Sequence, residues 1–484
     1  DLDDCYYTYK VKAELTDAAG ETQMAETSVS VGTSSLVLST DMEDEICKDK
    51  DCTVGIIDVI SDNDRRKILN EFNATETEYP REKTVAELFE EQVEKTPDKT
   101  ALVFGEEKLT YKELNARANS LAHKLRELGV KPDDFVAVIA DRSIEMIAGI
   151  YGIIKAGGAY VPIDPTYPED RINFMIEDCK PKAVLKYTTE EVAFSTEIPV
   201  IDLGNESIWN GNTQNPEHVN KSEDLIYCIY TSGTTGRPKG VLIENHGIIA
   251  MQDYLVKLYD VAQKDNVLQF ANYIFDASVW EMTLALYCGA TLVLISSDKI
   301  TDTVAFEKYM KENNVTLTLL PPQYFRQTNV DTFRILTTGG SASDSNVVSH
   351  VKENCRYINA YGPTENTVLA THWEYDKNKE IPLNIPIGKP ISNSRIYILN
   401  GDNLCGIGVP GELCIAGDGL ARGYLNRPEL TEEKFVKNPY GEGRMYRSGD
   451  LARWLPDGNI EYLGRISCPY FSDSFLIDYT ENAM

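Results

Sequence analysis

Two stripes of apolar residues at helical spacing open the regular part of the chain. Val85, Leu88, Phe89 and Val93 share one face behind a Thr84/Glu87 capping box, and Pro97 ends the run. Leu114, Ala118, Leu121, Leu125 and Leu128 repeat the device behind Thr110/Glu113, with Gly129 as the stop signal. A short apolar run at 135–140 predicts a buried strand, 143–155 a helix, and 159–163 a further strand. Such alternation predicts a parallel sheet covered on both faces, and it continues to about residue 375. Beyond that point Gly- and Pro-rich turns separate short strands, which predicts a smaller β-rich, barrel-like part. Residues 1–54 differ. The loose alternation of 6–15, the turn signal at 18–20 and the Val/Ser/Thr-rich stretch 27–39 predict short strands. The acidic run 41–51 reads as a solvated linker.

Composition narrows the class. The 484 residues are 42 % hydrophobic and 25 % charged, ordinary for globular protein and long enough for about three domains or subdomains. The net charge of −29 disfavours nucleic acid and anionic membrane surfaces as partners. Residues 1–60 hold 14 acidic and 4 basic residues, about a third of that net charge. Ten cysteines are scattered through mostly apolar surroundings, the pattern of a reduced, cytoplasmic protein. Cys47 and Cys52 lack the neighbours that would complete a zinc site. No apolar run approaches the length of about 18 residues that spans a membrane. The chain begins at Asp1 and shows no signal peptide.

The strongest chemical signal is 230–240, YTSGTTGRPKG, directly after the apolar stretch 225–230. Its glycines allow close backbone approach to an anion. Thr231, Ser232, Thr234 and Thr235 add hydroxyl donors, and Lys239 adds a positive charge. The lysine stands between Pro238 and Gly240, so this is not a Walker loop. On composition alone, a polyphosphate cradle and a solvated turn are equally good readings.

The string resembles the signature phosphate loop of the adenylate-forming enzyme superfamily, and more closely that of an adenylation domain of a nonribosomal peptide synthetase. Further matching segments follow in the family's order: 109–114 (LTYKEL), 155–164 (KAGGAYVPID), 275–278 (FDAS), 359–365 (NAYGPTE), 411–413 (GEL), 446–450 (YRSGD) and Gly464-Arg465. The resemblance covers residues 55–465. It implies an α/β fold of two packed subdomains with a smaller β-barrel-like one. The implied reaction joins an amino acid to ATP, giving aminoacyl-AMP and pyrophosphate, with Mg²⁺ as cofactor and the phosphopantetheine of a carrier protein as acceptor.

Site residues follow from the same match. Thr231, Ser232, Gly233, Thr234, Thr235, Gly236 and Lys239 correspond to the phosphate loop. Asn359, Tyr361 and Tyr462 correspond to the nucleoside site, and Asp450 to the ribose acceptor. Thr364 matches a phosphate-contacting hydroxyl and Glu365 the Mg²⁺ ligand, a hard oxygen donor. Arg465 is placed near the ribose or the reacting carboxylate. Asp276 matches the residue that pairs with the α-ammonium of the amino acid; it is equally well placed to cap a helix. Ala277, Trp280, Leu319, Thr337, Gly339, Ala360, Val368 and Leu369 complete the matched pocket. Apart from Asp276 and Thr337 its lining is apolar, which predicts Phe or Leu as substrate, then Tyr, Ile, Val or Trp.

The match stops at both ends. Residues 466–484 carry nothing like the family's hinge, its C-terminal lid or the lid lysine, which predicts slow adenylation and poorer transfer to a carrier thiol. Residues 1–54 do not resemble a condensation domain. Two rival readings stay open: an acyl- or aryl-CoA ligase of the same superfamily, against which Asp276 argues, and a non-catalytic nucleotide- or amino-acid-binding remnant.

Overall fold

The computed structural model describes residues 60–231 and 237–466, together with the backbone of two strands nearer the N-terminus. Those two, Tyr7–Thr16 and Thr22–Val31, pair antiparallel, so the second strand begins earlier than the stretch read from the sequence. The acidic run 41–51 and residues 467–484 lie outside the described residues, as do Cys47 and Cys52.

Three sheets build the remainder. The first runs Gly423–Tyr424, Lys239–Glu244, Leu225–Thr231, Ala159–Ile163, Phe135–Ala140, Ala183–Tyr187 and Val200–Asp202 from edge to edge. Its five strands from Leu225–Thr231 onward are parallel, and the two at the other edge are antiparallel. The second has nine strands. Asn266–Gln269, Thr291–Leu294, Leu317–Leu320, Ile335–Thr338 and Arg356–Tyr361 form part of its parallel centre. The third is a six-stranded antiparallel sheet built on Ser394–Asn400, Gly411–Gly417 and Arg444–Trp454, with Ile460–Arg465 paired to the last. It is the smaller β-rich part expected from the turn-rich sequence.

The predicted helices form where the signals stand. Thr84 and Glu87 make both bonds of a capping box at the start of Val85–Lys95. Thr110 and Glu113 do the same for Tyr111–Glu127, and Gly129 follows with φ +88°. Ser143 caps Ile144–Ala156. One continuous apolar core contains Val136 of the first sheet, Leu292 of the second and Leu413 of the third. The three sheets therefore share one interior. No helix among the described residues is long and apolar enough to cross a membrane. The six cysteines among them, Cys179, Cys228, Cys288, Cys355, Cys405 and Cys414, are free.

Candidate active site

The buried strand Leu225–Thr231 delivers Thr231 to the start of the glycine-rich loop, and the antiparallel register sets Lys239 opposite it. The loop residues Ser232, Gly233, Thr234, Thr235 and Gly236 lie outside the described residues. Thr231 Oγ1 is buried with no hydrogen-bond partner among the described residues. An unpaired buried hydroxyl is costly, and at the base of this loop it suits a phosphate oxygen.

Lys239 Nζ lies 2.7 Å from Glu365 Oε1 and 2.9 Å from the Tyr424 hydroxyl, which itself donates to Glu365 Oε1 at 2.7 Å. Glu365 sits on the single turn Thr364–Asn366 and is buried. Burial alone would raise its carboxyl, but the Lys239 ammonium and the two hydrogen bonds outweigh that and hold it below the ordinary value. One carboxylate is enough for Mg²⁺ when phosphates and water supply the other oxygens. Among the described residues no cluster of three His, Cys, Asp or Glu side chains competes for the role. The Lys239 ammonium already occupies a cation's position on Glu365, so the donor set fits the metal.

The nucleoside residues come from three strands. Asn359 and Tyr361 lie on Arg356–Tyr361, Asp450 on Arg444–Trp454, and Tyr462 and Arg465 on Ile460–Arg465. Tyr361 donates to Asp450 Oδ2 at 2.6 Å, and Arg465 donates to Asp450 Oδ1 at 2.9 Å and to the Ser448 carbonyl at 3.1 Å. Arg465 thus braces the predicted ribose acceptor. The Tyr361 and Tyr462 rings are 6.1 Å apart. Asn359 Nδ2 is taken by the Pro386 carbonyl at 2.8 Å. Its Oδ1 accepts only a long bond from Thr338, so it keeps acceptor capacity suited to an adenine amino group. Glu412, in the 411–413 motif, accepts from Gly449 N at 3.0 Å and pairs with Arg447, fixing the turn before Asp450.

Asp276 stands at the N-cap of Ala277–Cys288, yet its side chain does not cap that helix. The Thr364 hydroxyl and the backbone N–H groups of Ala277 and Asp276 favour its ionised form. Burial, reinforced by the Glu365 charge and opposed by the Thr364 bond, pushes its carboxyl up to about 6. The loop leading to it is pinned. Tyr273 accepts from Ala140 N at 3.0 Å, and Asn272 donates to Asp164 Oδ2 at 2.9 Å. Glu281 accepts from Phe270 N and Ala271 N, while Arg142 donates to the carbonyls of the same two residues.

The structure brings much of the expected pocket together. Leu319 and Thr337 are register neighbours on adjacent strands. A Cβ on Gly339 would lie 3.3 Å from the Ala360 carbonyl and 3.9 Å from Leu319 Cδ1. Buried Trp280 meets Tyr259 edge-on at 5.9 Å, and the Tyr259 hydroxyl bonds Thr337 Oγ1 at 2.8 Å. That bond engages the one uncharged polar side chain of the predicted lining. Ala277 begins the helix that carries Trp280. Thr367 and Val368 adopt φ +47° and +69°, a strained conformation for β-branched residues. They turn the chain so that Val368 and Leu369 pass beneath Gly362, where a Cβ would meet the Val368 carbonyl at 2.2 Å. Tyr424 and Tyr259 were not foreseen: each meets its partner through long-range strand or helix packing that leaves no local spacing signal.

A family profile described as AMP-binding enzyme matches residues 89–425. Among curated proteins, the chain is 48 % identical over 398 residues to tyrocidine synthase 1 of Brevibacillus parabrevis, covering 80 % of this chain and 36 % of that protein. It is 44 % identical over 429 residues to bacitracin synthase 1 of Bacillus licheniformis, covering 87 % and 8 %. The chain therefore spans only a minor part of these relatives' length. Among solved structures, the nonribosomal peptide synthetase FmoA3 in an AMPPNP-bound form superposes with a TM-score of 0.82 at 30 % identity, covering 88 % of this chain and 47 % of that one. The chain belongs to the AMP-binding enzyme family, with the fold of a nonribosomal peptide synthetase adenylation unit over its described core.

Proposed function

We propose that this chain activates a large apolar amino acid, Phe or Leu first, as an aminoacyl adenylate. In this reading one substrate carboxylate oxygen bonds to the α-phosphorus of ATP, the bond from that phosphorus to the β-bridging oxygen breaks, and pyrophosphate leaves. The protein supplies position and charge rather than a nucleophile. Thr231 and Lys239 receive phosphate oxygens, and Asp450, braced by Tyr361 and Arg465, receives the ribose. Mg²⁺ at Glu365 would offset the charge that develops on the phosphates. Asp276 pairs with the α-ammonium.

The observation that carries the reading is the Asp276 carboxylate at the start of the helix Ala277–Cys288 that carries Trp280, in a lining whose other polar side chain, Thr337, is already engaged by Tyr259. A fatty or aryl acid has no cation for that carboxylate. A polar substrate side chain would stay unpaired among Trp280, Leu319, Gly339 and Ala360. Relatives named for tyrocidine and bacitracin support a place in antibiotic or secondary-metabolite assembly, and in this reading the aminoacyl group passes to a phosphopantetheinyl carrier protein. The test is to incubate the chain with Mg·ATP and a mixture of amino, fatty and aryl acids and to identify adenylates by mass spectrometry. Aminoacyl-AMP of apolar amino acids is expected. Acyl- or aryl-AMP without aminoacyl-AMP would overturn the assignment.

A further inference from the structure

Three separate elements converge on one oxygen of Glu365. Lys239 reaches it from the strand Lys239–Glu244, Glu365 itself sits on the turn Thr364–Asn366, and Tyr424 comes from the two-residue edge strand Gly423–Tyr424. Tyr424 lies 185 positions from Lys239 in sequence, but pairing of Val241 with Tyr424 places it beside the lysine's own strand. Its backbone N–H is held by Thr431 Oγ1 at 3.0 Å, its ring packs edge-on against Phe435 at 5.5 Å, and only about 4 % of its surface is exposed. The hydroxyl is therefore fixed in place. It faces Lys239 Nζ at 2.9 Å and Glu365 Oε1 at 2.7 Å. The Lys239 ammonium also stands 4.2 Å from the centre of its ring. The backbone of Glu365 is held as well, its carbonyl accepting from Ala421 N at 2.9 Å.

Glu365 cannot give the same lone pair to Lys239 and to a divalent cation. Lys239 also stands directly opposite Thr231 in the strand pairing, a few residues after the phosphate loop. We propose that Tyr424 is a positioning residue for an exchange at Glu365. Without nucleotide, Lys239 occupies the carboxylate. When Mg·ATP arrives, Lys239 turns to the phosphates and the metal takes its place, while Tyr424 keeps its hydrogen bond and holds Glu365 aimed at the cleft. The ring of Tyr424 gives the ammonium a favourable surface along that path. The proposal rests on the reading that Mg·ATP binds here, and it adds a coupling: divalent cation and nucleotide bind more tightly together than apart, and the Tyr424 hydroxyl sets part of that coupling.

The test uses the full chain and a non-hydrolysable ATP analogue, with affinity measured by calorimetry with and without Mg²⁺. In the unmodified chain Mg²⁺ should tighten binding. In Tyr424→Phe the ratio of the two affinities should fall about tenfold, the worth of one hydrogen bond to a charged group. A second variant covers the case in which Tyr424→Phe does not fold. Lys239→Met should free Glu365, so Mn²⁺ binding without nucleotide, read by electron paramagnetic resonance, should tighten relative to the unmodified chain. An unchanged Mg²⁺ ratio in a folded Tyr424→Phe, or unchanged Mn²⁺ binding in Lys239→Met, would overturn the exchange while leaving the nucleotide site standing. Absence of Mg²⁺-dependent nucleotide binding in the unmodified chain would overturn both.

Discussion

Asp276 meets opposite demands from its surroundings. Burial and the nearby Glu365 charge push its carboxyl up to about 6, while Thr364 hydrogen-bonds the ionised form. At pH 7 it is charged and can pair with an ammonium group; as pH falls through 6 it takes a proton and that attraction is lost. The amino-acid KM should therefore rise steeply below pH 6, approaching tenfold per pH unit, while the ATP KM stays level. A flat amino-acid KM from pH 7 to 5 would show that Asp276 does not face the substrate. Gly339 tests the other end of the pocket. The position has room for little beyond a Cβ near Ala360 and Leu319, so Gly339→Val should lower kcat/KM for Phe about tenfold or more and favour smaller amino acids. An unchanged ratio in substrate competition would place Gly339 outside the pocket. At this scale the motifs made Asp276, Thr364 and Glu365 legible, because each sits inside a contiguous string. Tyr259 and Tyr424 were not, because their partners Thr337 and Glu365 lie 78 and 59 residues away.

The helices divide in the same way. Both capping boxes were readable because each closes within four residues, and both form, with Thr84 N to Glu87 at 2.7 Å and Thr110 N to Glu113 at 2.7 Å. Thr110→Ala should cost about 1 kcal/mol and lower the melting temperature by a few degrees; no change in a thermal melt would mean the box adds nothing once the helix is packed. The helix Ala277–Cys288 shows the limit of local signals. An Asp at its N-cap has the right residue type for capping, but its side chain makes no cap hydrogen bond to that helix. The strand Gly423–Tyr424 is two residues long and joins the first sheet after the chain has built part of the third. No periodicity survives in so short a strand, although it carries the tyrosine that organises Glu365.

Across the whole molecule, the layers are held by one core and by a few buried polar ties. Lys155, within the 155–164 motif, forms a fully buried ion pair with Glu90 of the helix Val85–Lys95, and His218 approaches the same carboxylate at 2.7 Å. Burial, opposed by the Glu90 charge, brings the Lys155 ammonium down to about 8. Lys155→Met would leave Glu90 buried without its main cation and should cost about 3 kcal/mol. Adding Glu90→Gln should restore part of that loss. A denaturant midpoint that does not move in the single variant would show that His218 suffices. The alternation of strands and helices made the layered α/β architecture legible, and the turn-rich end announced the antiparallel sheet. The order of strands within each sheet was not legible, because it depends on crossovers that hydrophobic spacing does not encode.

The proposed reaction joins an apolar amino acid to AMP, with Asp276 as the anchor of the amino group. The most direct measurement is ATP–pyrophosphate exchange on the 484-residue chain with each of the twenty amino acids in parallel. Exchange is expected with Phe and Leu, weaker exchange with Tyr, Ile, Val or Trp, and none above background with charged or amide side chains. Exchange led by a charged or amide amino acid, or no amino-acid-dependent exchange at all, would contradict it.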